Sequence, residues 1–216
     1  MPRPALDLGK FGNVVRAASL LDGQAQRAGE QVAQWVPEEL AGRIVELCGG
    51  RASSALTMAM GLVYRVQRQG EPAAWVSAGD ATFFPPDAAL GGIDLEALPV
   101  VRVRDAHQAA RAADKLARSG AFGLVVLDLG EGASVPTPLM RRLQKWAEAH
   151  DTALLCLTHR PAEAPSLSSL VSLRGVAGRE RTGEDRFSCR IEVTRDKRRG
   201  AGWSFEEVCC GPPGLR

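Results

Sequence analysis

Gly49-Gly50-Arg51-Ala52-Ser53-Ser54-Ala55-Leu56-Thr57 is the stretch whose spacing comes nearest to a chemical motif. A phosphate-binding loop needs a glycine, four residues, Gly-Lys and then Ser or Thr, set between a strand and a helix. Its glycines let backbone N–H groups curl round phosphates, its lysine supplies charge and its hydroxyl holds magnesium. Counted from Gly49, the second glycine is Ser54, the lysine is Ala55 and the hydroxyl is Leu56. Ala55 deletes charged hydrogen bonds worth about 1.5–3 kcal/mol. Leu56 puts an apolar side chain where magnesium would sit. Thr57 is rotated by about 100° round the helix and points elsewhere. Ordinary Mg-nucleotide binding is not expected, and no cofactor is. The helix N-terminus keeps a weak general attraction for anions.

The other chemistry-bearing residues form no set. Between Arg160 and Arg199 there are ten Arg or Lys against six Asp or Glu, and Arg195, Lys197, Arg198 and Arg199 concentrate the surplus. Such a run is a candidate contact for DNA phosphates or for a partner's acids; its bland reading is a solvated turn. Cys48, Cys156, Cys189, Cys209 and Cys210 contain no C-x-x-C and read as reduced thiols. His107, His150 and His159 share no ligand spacing, so no metal site is expected.

These residues need elements to hold them. The 216 residues allow one α/β domain with a small appendage, and 45% hydrophobic with 24% charged residues is the balance of an ordinary globular protein. No stretch approaches the roughly 20 apolar residues of a membrane span, the start has no apolar signal run, and the expected location is cytoplasmic. Residues 1–41 read as an N-terminal segment with a helix over Asn13–Trp35 that Pro37 ends; 42–216 read as the core. Apolar runs predict strands at Arg43–Cys48, Ala73–Ser77, Val100–Val103, Leu124–Asp128 and Ala153–Thr158. Helices are predicted between them, one capped by Ser53 or Ser54, one by Asp105, and one opened by Pro138. A passage rich in proline and glycine, Pro85-Pro86 through Gly91-Gly92, follows the second strand. Three further strands, at Leu170–Arg174, Phe187–Arg195 and Trp203–Val208, follow, the middle one with period-two alternation. The fold class is α/β: a mainly parallel sheet flanked by helices, a C-terminal antiparallel meander and an N-terminal helix.

Gly42-Arg43-Ile44-Val45-Glu46-Leu47 followed by the loop resembles the opening of the RecA recombinase core. Trp75–Ala81 is similar to the second core strand and the turn where RecA carries its catalytic glutamate. Arg118–Asp128 resembles the segment leading to the Walker B aspartate, Leu155–His159 the strand before the second DNA loop, and Ile191–Lys197 the late strand with two lysines that reach a neighbour's nucleotide. The resemblance covers roughly Gly42 to Val208. It implies a RecA-like fold in which Gly79 stands at the catalytic glutamate, and Asp128 is a vestigial Walker B carboxylate with no metal to hold. The stretch 129–138 is too short for a long DNA loop. Residues 160–169 are also short, and their Pro and Ser content reads as a mobile stretch.

A RecA-like core without ATP chemistry resembles the ImuA proteins, also called SulA-like. That resemblance implies a non-enzymatic scaffold of damage-induced (SOS) mutagenesis, assembling with an ImuB-like inactive Y-family polymerase and an error-prone DNA polymerase. It also implies a docking surface on the strand and helix holding Val101, Arg102, Val103, Ala109, Ala113, Leu116 and Ala117, where a RecA-like N-terminal segment would sit. The bland reading of those alanines is that they face this protein's own sheet. A DNA-binding paralogue that modulates recombinase filaments is the alternative, an ATPase with an unconventional loop a third, and a cell-division inhibitor a remote one. Trp203 and Phe205 read as core residues of an alternating strand rather than base-stacking platforms. Oligomeric state stays open at this point.

Overall fold

The computed structural model describes residues 35–50, 52–79, 81, 83–184 and 186–210. The expected helix Asn13–Trp35 lies outside these, apart from Trp35. In chain order the elements are α1 (Pro37–Leu40), β1 (Ile44–Cys48), α2 (Ala55–Arg68), β2 (Ala73–Ala78), α3 (Pro85–Leu90), β3 (Val100–Val103), α4 (Ala106–Arg118), β4 (Leu124–Asp128), α5 (Thr137–His150), β5 (Ala153–Thr158), β6 (Leu173–Gly183), β7 (Arg186–Asp196) and β8 (Ser204–Cys210). They form one eight-stranded sheet in the order β3-β2-β4-β5-β1-β6-β7-β8. Pairings are parallel from β3 to β6 and antiparallel from β6 to β8.

The parallel part follows from its residues. Every residue of β1, β2, β4 and β5 is buried, as continuous apolar runs demand when both sheet faces are covered. One face packs on α2, whose Ala55, Met58, Ala59, Leu62, Val63 and Val66 form a single stripe. The other packs on α4 and α5. Asp105 caps α4 by accepting from the Gln108 N–H at 2.8 Å. Among the described residues no helix is long and apolar enough to cross a membrane.

The structure adds detail to several expected elements and moves the bounds of one. Pro37 opens the helical turn α1, because its missing N–H costs nothing in the first turn; the helix it is expected to end lies outside the described residues. Trp35 and Leu40 sit inside the core, Trp35 giving its indole N–H to the Met58 carbonyl. The proline- and glycine-rich passage contains the short helix α3, again opened by proline. Strand β6 starts later and runs further than Leu170–Arg174. Its distal half, Gly178 through Gly183, is exposed and carries Arg179, Glu180 and Arg181, so it has no apolar signal; its order comes from pairing with β7.

The stretch 159–172 is tied down through Glu46, a fully buried carboxylate in the middle of β1. It accepts from Thr158 Oγ1 (3.1 Å), Ser166 Oγ (2.6 Å) and the Leu167 N–H (3.0 Å). Arg174 and Arg160 face it at 3.5 and 4.0 Å. The Arg174 guanidinium also donates to the carbonyls of Pro161 and Ala162.

Candidate functional site

The turn joining β1 to α2 stands where a phosphate loop would. Gly49 leaves β1 with its N–H on the Thr158 carbonyl (3.2 Å), and Ser53 N–H returns to the Gly50 carbonyl (3.0 Å). A side chain at Gly49 would lie 2.6 Å from Ser53 Cβ and Oγ and 2.9 Å from the Ala177 carbonyl, so Ser53 rests directly on the Gly49 backbone. Ser54 occupies the N-cap position of α2 but makes no cap bond with its side chain. Its buried hydroxyl donates to the Gly178 carbonyl of β6 at 2.6 Å, which locks the start of α2 to the sheet. Ala55 points its methyl into the core, and Leu56 is 43% exposed on the solvent side.

Asp128 ends β4 and is buried, next to Ser77 of β2 and Leu157 of β5 in the sheet register. Burial pushes its carboxyl up to about 6, and the nearby His159 pulls the other way. Gly79 has φ +60°, a left-handed turn conformation, and donates its N–H to the Val103 carbonyl. Its backbone suits a tight turn and disfavours the side chain an active glutamate would need.

The basic run is a structured turn. Asp196 is buried and accepts from the Arg43 guanidinium at 2.5 Å, from the Arg198 N–H at 2.8 Å and from the Trp203 indole at 3.2 Å. Burial pushes that carboxyl up, but the hydrogen bonds from Arg198 and Arg43 outweigh it and hold it below the ordinary carboxylate range. Lys197 donates to the Ser169 carbonyl, Arg198 to the Ala41 carbonyl, and Arg199 pairs with Glu39. Arg195 is exposed.

The β3–α4 face divides the expected docking residues. Ala109, Ala113 and Ala117 are fully buried against this chain's own sheet, so they present nothing to a partner. Val101, Val103 and Leu116 are half-buried, and Arg102 is exposed, reaching the Phe83 carbonyl at 3.4 Å. Val101 and Leu116 join Gln108, Arg111, Ala112 and Lys115 in a shallow open groove of about 450 Å³. Sequence reasoning missed those last four. Their signal was the spacing 108-112-116 and 111-115, two neighbouring stripes one helical turn apart. β3 is an edge strand with β2 as its partner among the described residues. Since the carbonyls of Pro99 and Val103 bond to β2, strand alternation turns the backbone groups of Val100 and Arg102 outward.

Comparison with known proteins places these features in a family. The model of the RecA N-terminal domain matches residues 29–140, just over half of the chain. The RecA protein of Rhodospirillum rubrum is 35% identical over 123 residues, 57% of this chain and 32% of that protein. The RecA proteins of Fusobacterium nucleatum and Bifidobacterium breve are 36% and 38% identical over 87 residues, 40% of this chain and 23% and 22% of theirs. The matched stretch thus spans a third or less of these relatives' length. An α/β sheet in this order, a β1–α2 turn at the phosphate-loop position and a family match over more than half of its residues make this chain a member of the RecA family.

Proposed function

We propose that this protein is a non-catalytic RecA-like scaffold of DNA damage-induced mutagenesis and translesion synthesis. It holds an ImuB-like inactive Y-family polymerase on its β3–α4 face, and through it an error-prone DNA polymerase. The observation that carries the reading is the β1–α2 turn. A methyl and an exposed leucine stand at the lysine and hydroxyl positions, and the Ser54 hydroxyl is engaged by Gly178. Gly79 adds to it, at the position of the catalytic glutamate. A family core that lacks these groups acts through its surface, and the open edge of β3 beside an apolar groove suits strand and helix addition. The DNA-binding reading draws less support, because Lys197, Arg198 and Arg199 are held by this chain's own carbonyls and Glu39.

The test is co-elution of the purified protein with a purified ImuB-like polymerase homologue. The expected result is a complex that forms without nucleotide, is unchanged by MgATP, and is lost in Leu116→Asp. A complex that needs ATP, or one indifferent to Leu116→Asp, overturns it. Leu116 is half-buried at the groove, whereas a charge at Ala113 would test folding instead.

A further inference from the structure

The groove on the β3–α4 face carries a charge pattern that selects its occupant. Val101, Ala112 and Leu116 make a half-buried apolar floor, and Arg111 and Lys115 rise from its rim, both exposed. These two cations stand one helical turn apart, about 5–6 Å between their Cβ atoms. Arg118 continues the same side of α4. The one acid inside α4, Asp114, offers no balance. It is buried between the helices, where it accepts from the Trp146 indole (3.1 Å) and the Arg142 guanidinium. Among the described residues no carboxylate pairs with Arg111 or Lys115, so the groove is an apolar strip bordered by positive charge.

We propose that this groove takes an acidic amphipathic segment of a different protein. The segment's backbone extends the sheet at the outward groups of Val100 and Arg102, an aliphatic side chain fills the Val101–Ala112–Leu116 floor, and its carboxylates meet Arg111 and Lys115. This deepens the docking reading above and rests on it. A second copy of this chain fits poorly. Its residues 1–34, the segment that precedes the described core, contain Arg3, Lys10, Arg16 and Arg27 against Asp7, Asp22 and Glu30, with no acidic excess to offer. A nucleic acid would use the cations but has no aliphatic group for the floor and no strand for the edge.

The test uses the full chain and two labelled synthetic peptides of about twenty residues with the same leucine pattern, one with glutamate and one with glutamine at the polar positions. Fluorescence anisotropy is expected to show the glutamate peptide binding about tenfold tighter or more, with the preference shrinking as salt rises. The double variant Arg111→Glu/Lys115→Glu erases the preference, the milder Arg111→Gln/Lys115→Gln reduces it, and circular dichroism confirms that both stay folded. Equal affinity for the two peptides, both lost in Leu116→Asp, overturns the acidic partner and leaves the docking face standing. Binding of neither peptide overturns this proposal, and the co-elution experiment decides the docking reading separately. Self-association or oligothymidine binding abolished by the double reversal also overturns it, in favour of a second copy or of DNA.

Discussion

Asp128 shows how one residue changes meaning when its surroundings change. A carboxylate buried at the end of a central strand needs a metal, a cation or hydrogen-bond donors to offset its charge. Here burial raises its pKa to about 6. An unfolded aspartate titrates near 3.9, so between about pH 4 and 6 the folded state holds a proton that the unfolded chain releases. Stability contributed by the protonated form is complete below pH 4 and is lost as pH rises through 6. Asp128→Asn should remove this loss, raising stability at pH 7 by up to about 3 kcal/mol and flattening the profile between pH 4 and 7. Urea unfolding across that range measures it, and a less stable Asn variant at pH 7 would contradict it. Asp196 is the opposite case: donors surround it, its pKa is lowered, and its ion pair with Arg43 serves the native state at neutral pH.

Among the elements, the connection from β5 to β6 is the one whose order depends on a distant residue. Glu46 gathers Thr158, Ser166, the Leu167 N–H, Arg160 and Arg174 round one buried carboxylate. Removing one member of such a cluster leaves buried charges uncompensated. Glu46→Gln should cost about 3–5 kcal/mol of stability. It should also speed amide hydrogen exchange in residues 159–172 more than in α4, which packs on β2, β3, β4 and α5. Uniform acceleration across both segments would mean that Glu46 supports the sheet generally and does not specifically hold the connection. At α4, burial of Ala109, Ala113 and Ala117 and exposure of Arg111 and Lys115 show one helix serving two neighbours. Its inner stripe closes the fold and its outer stripe borders the groove.

For the whole molecule, a ligand that binds only the folded state must raise the melting temperature. A micromolar nucleotide at thousandfold excess would add about 4 kcal/mol. With Ser53 on Gly49, Ser54 on Gly178 and no lysine or hydroxyl at positions 55 and 56, millimolar MgATP should leave Tm unchanged. A shift of several degrees, measured by calorimetry, would show that the β1–α2 turn holds nucleotide after all. The same accounting explains why the C-terminal strands matter to this turn. β6 supplies both the Ala177 carbonyl that crowds Gly49 and the Gly178 carbonyl that holds Ser54, so the antiparallel half of the sheet shapes the start of α2.

The parallel strands, the stripe of α2 and the Asp105 cap were all legible in the residues, because local periodicity and capping chemistry act over a few positions. The departures of the phosphate loop were legible too, since a missing lysine or hydroxyl is missing in any fold. What neighbours in sequence do not carry is contact between distant segments. Ser54 looked like a helix cap and became a tie to Gly178; Arg198 and Arg199 looked free and became anchors for Ala41 and Glu39. Glu46 looked like one polar residue in an apolar strand, and only the arrival of residues more than a hundred positions away made its burial tolerable.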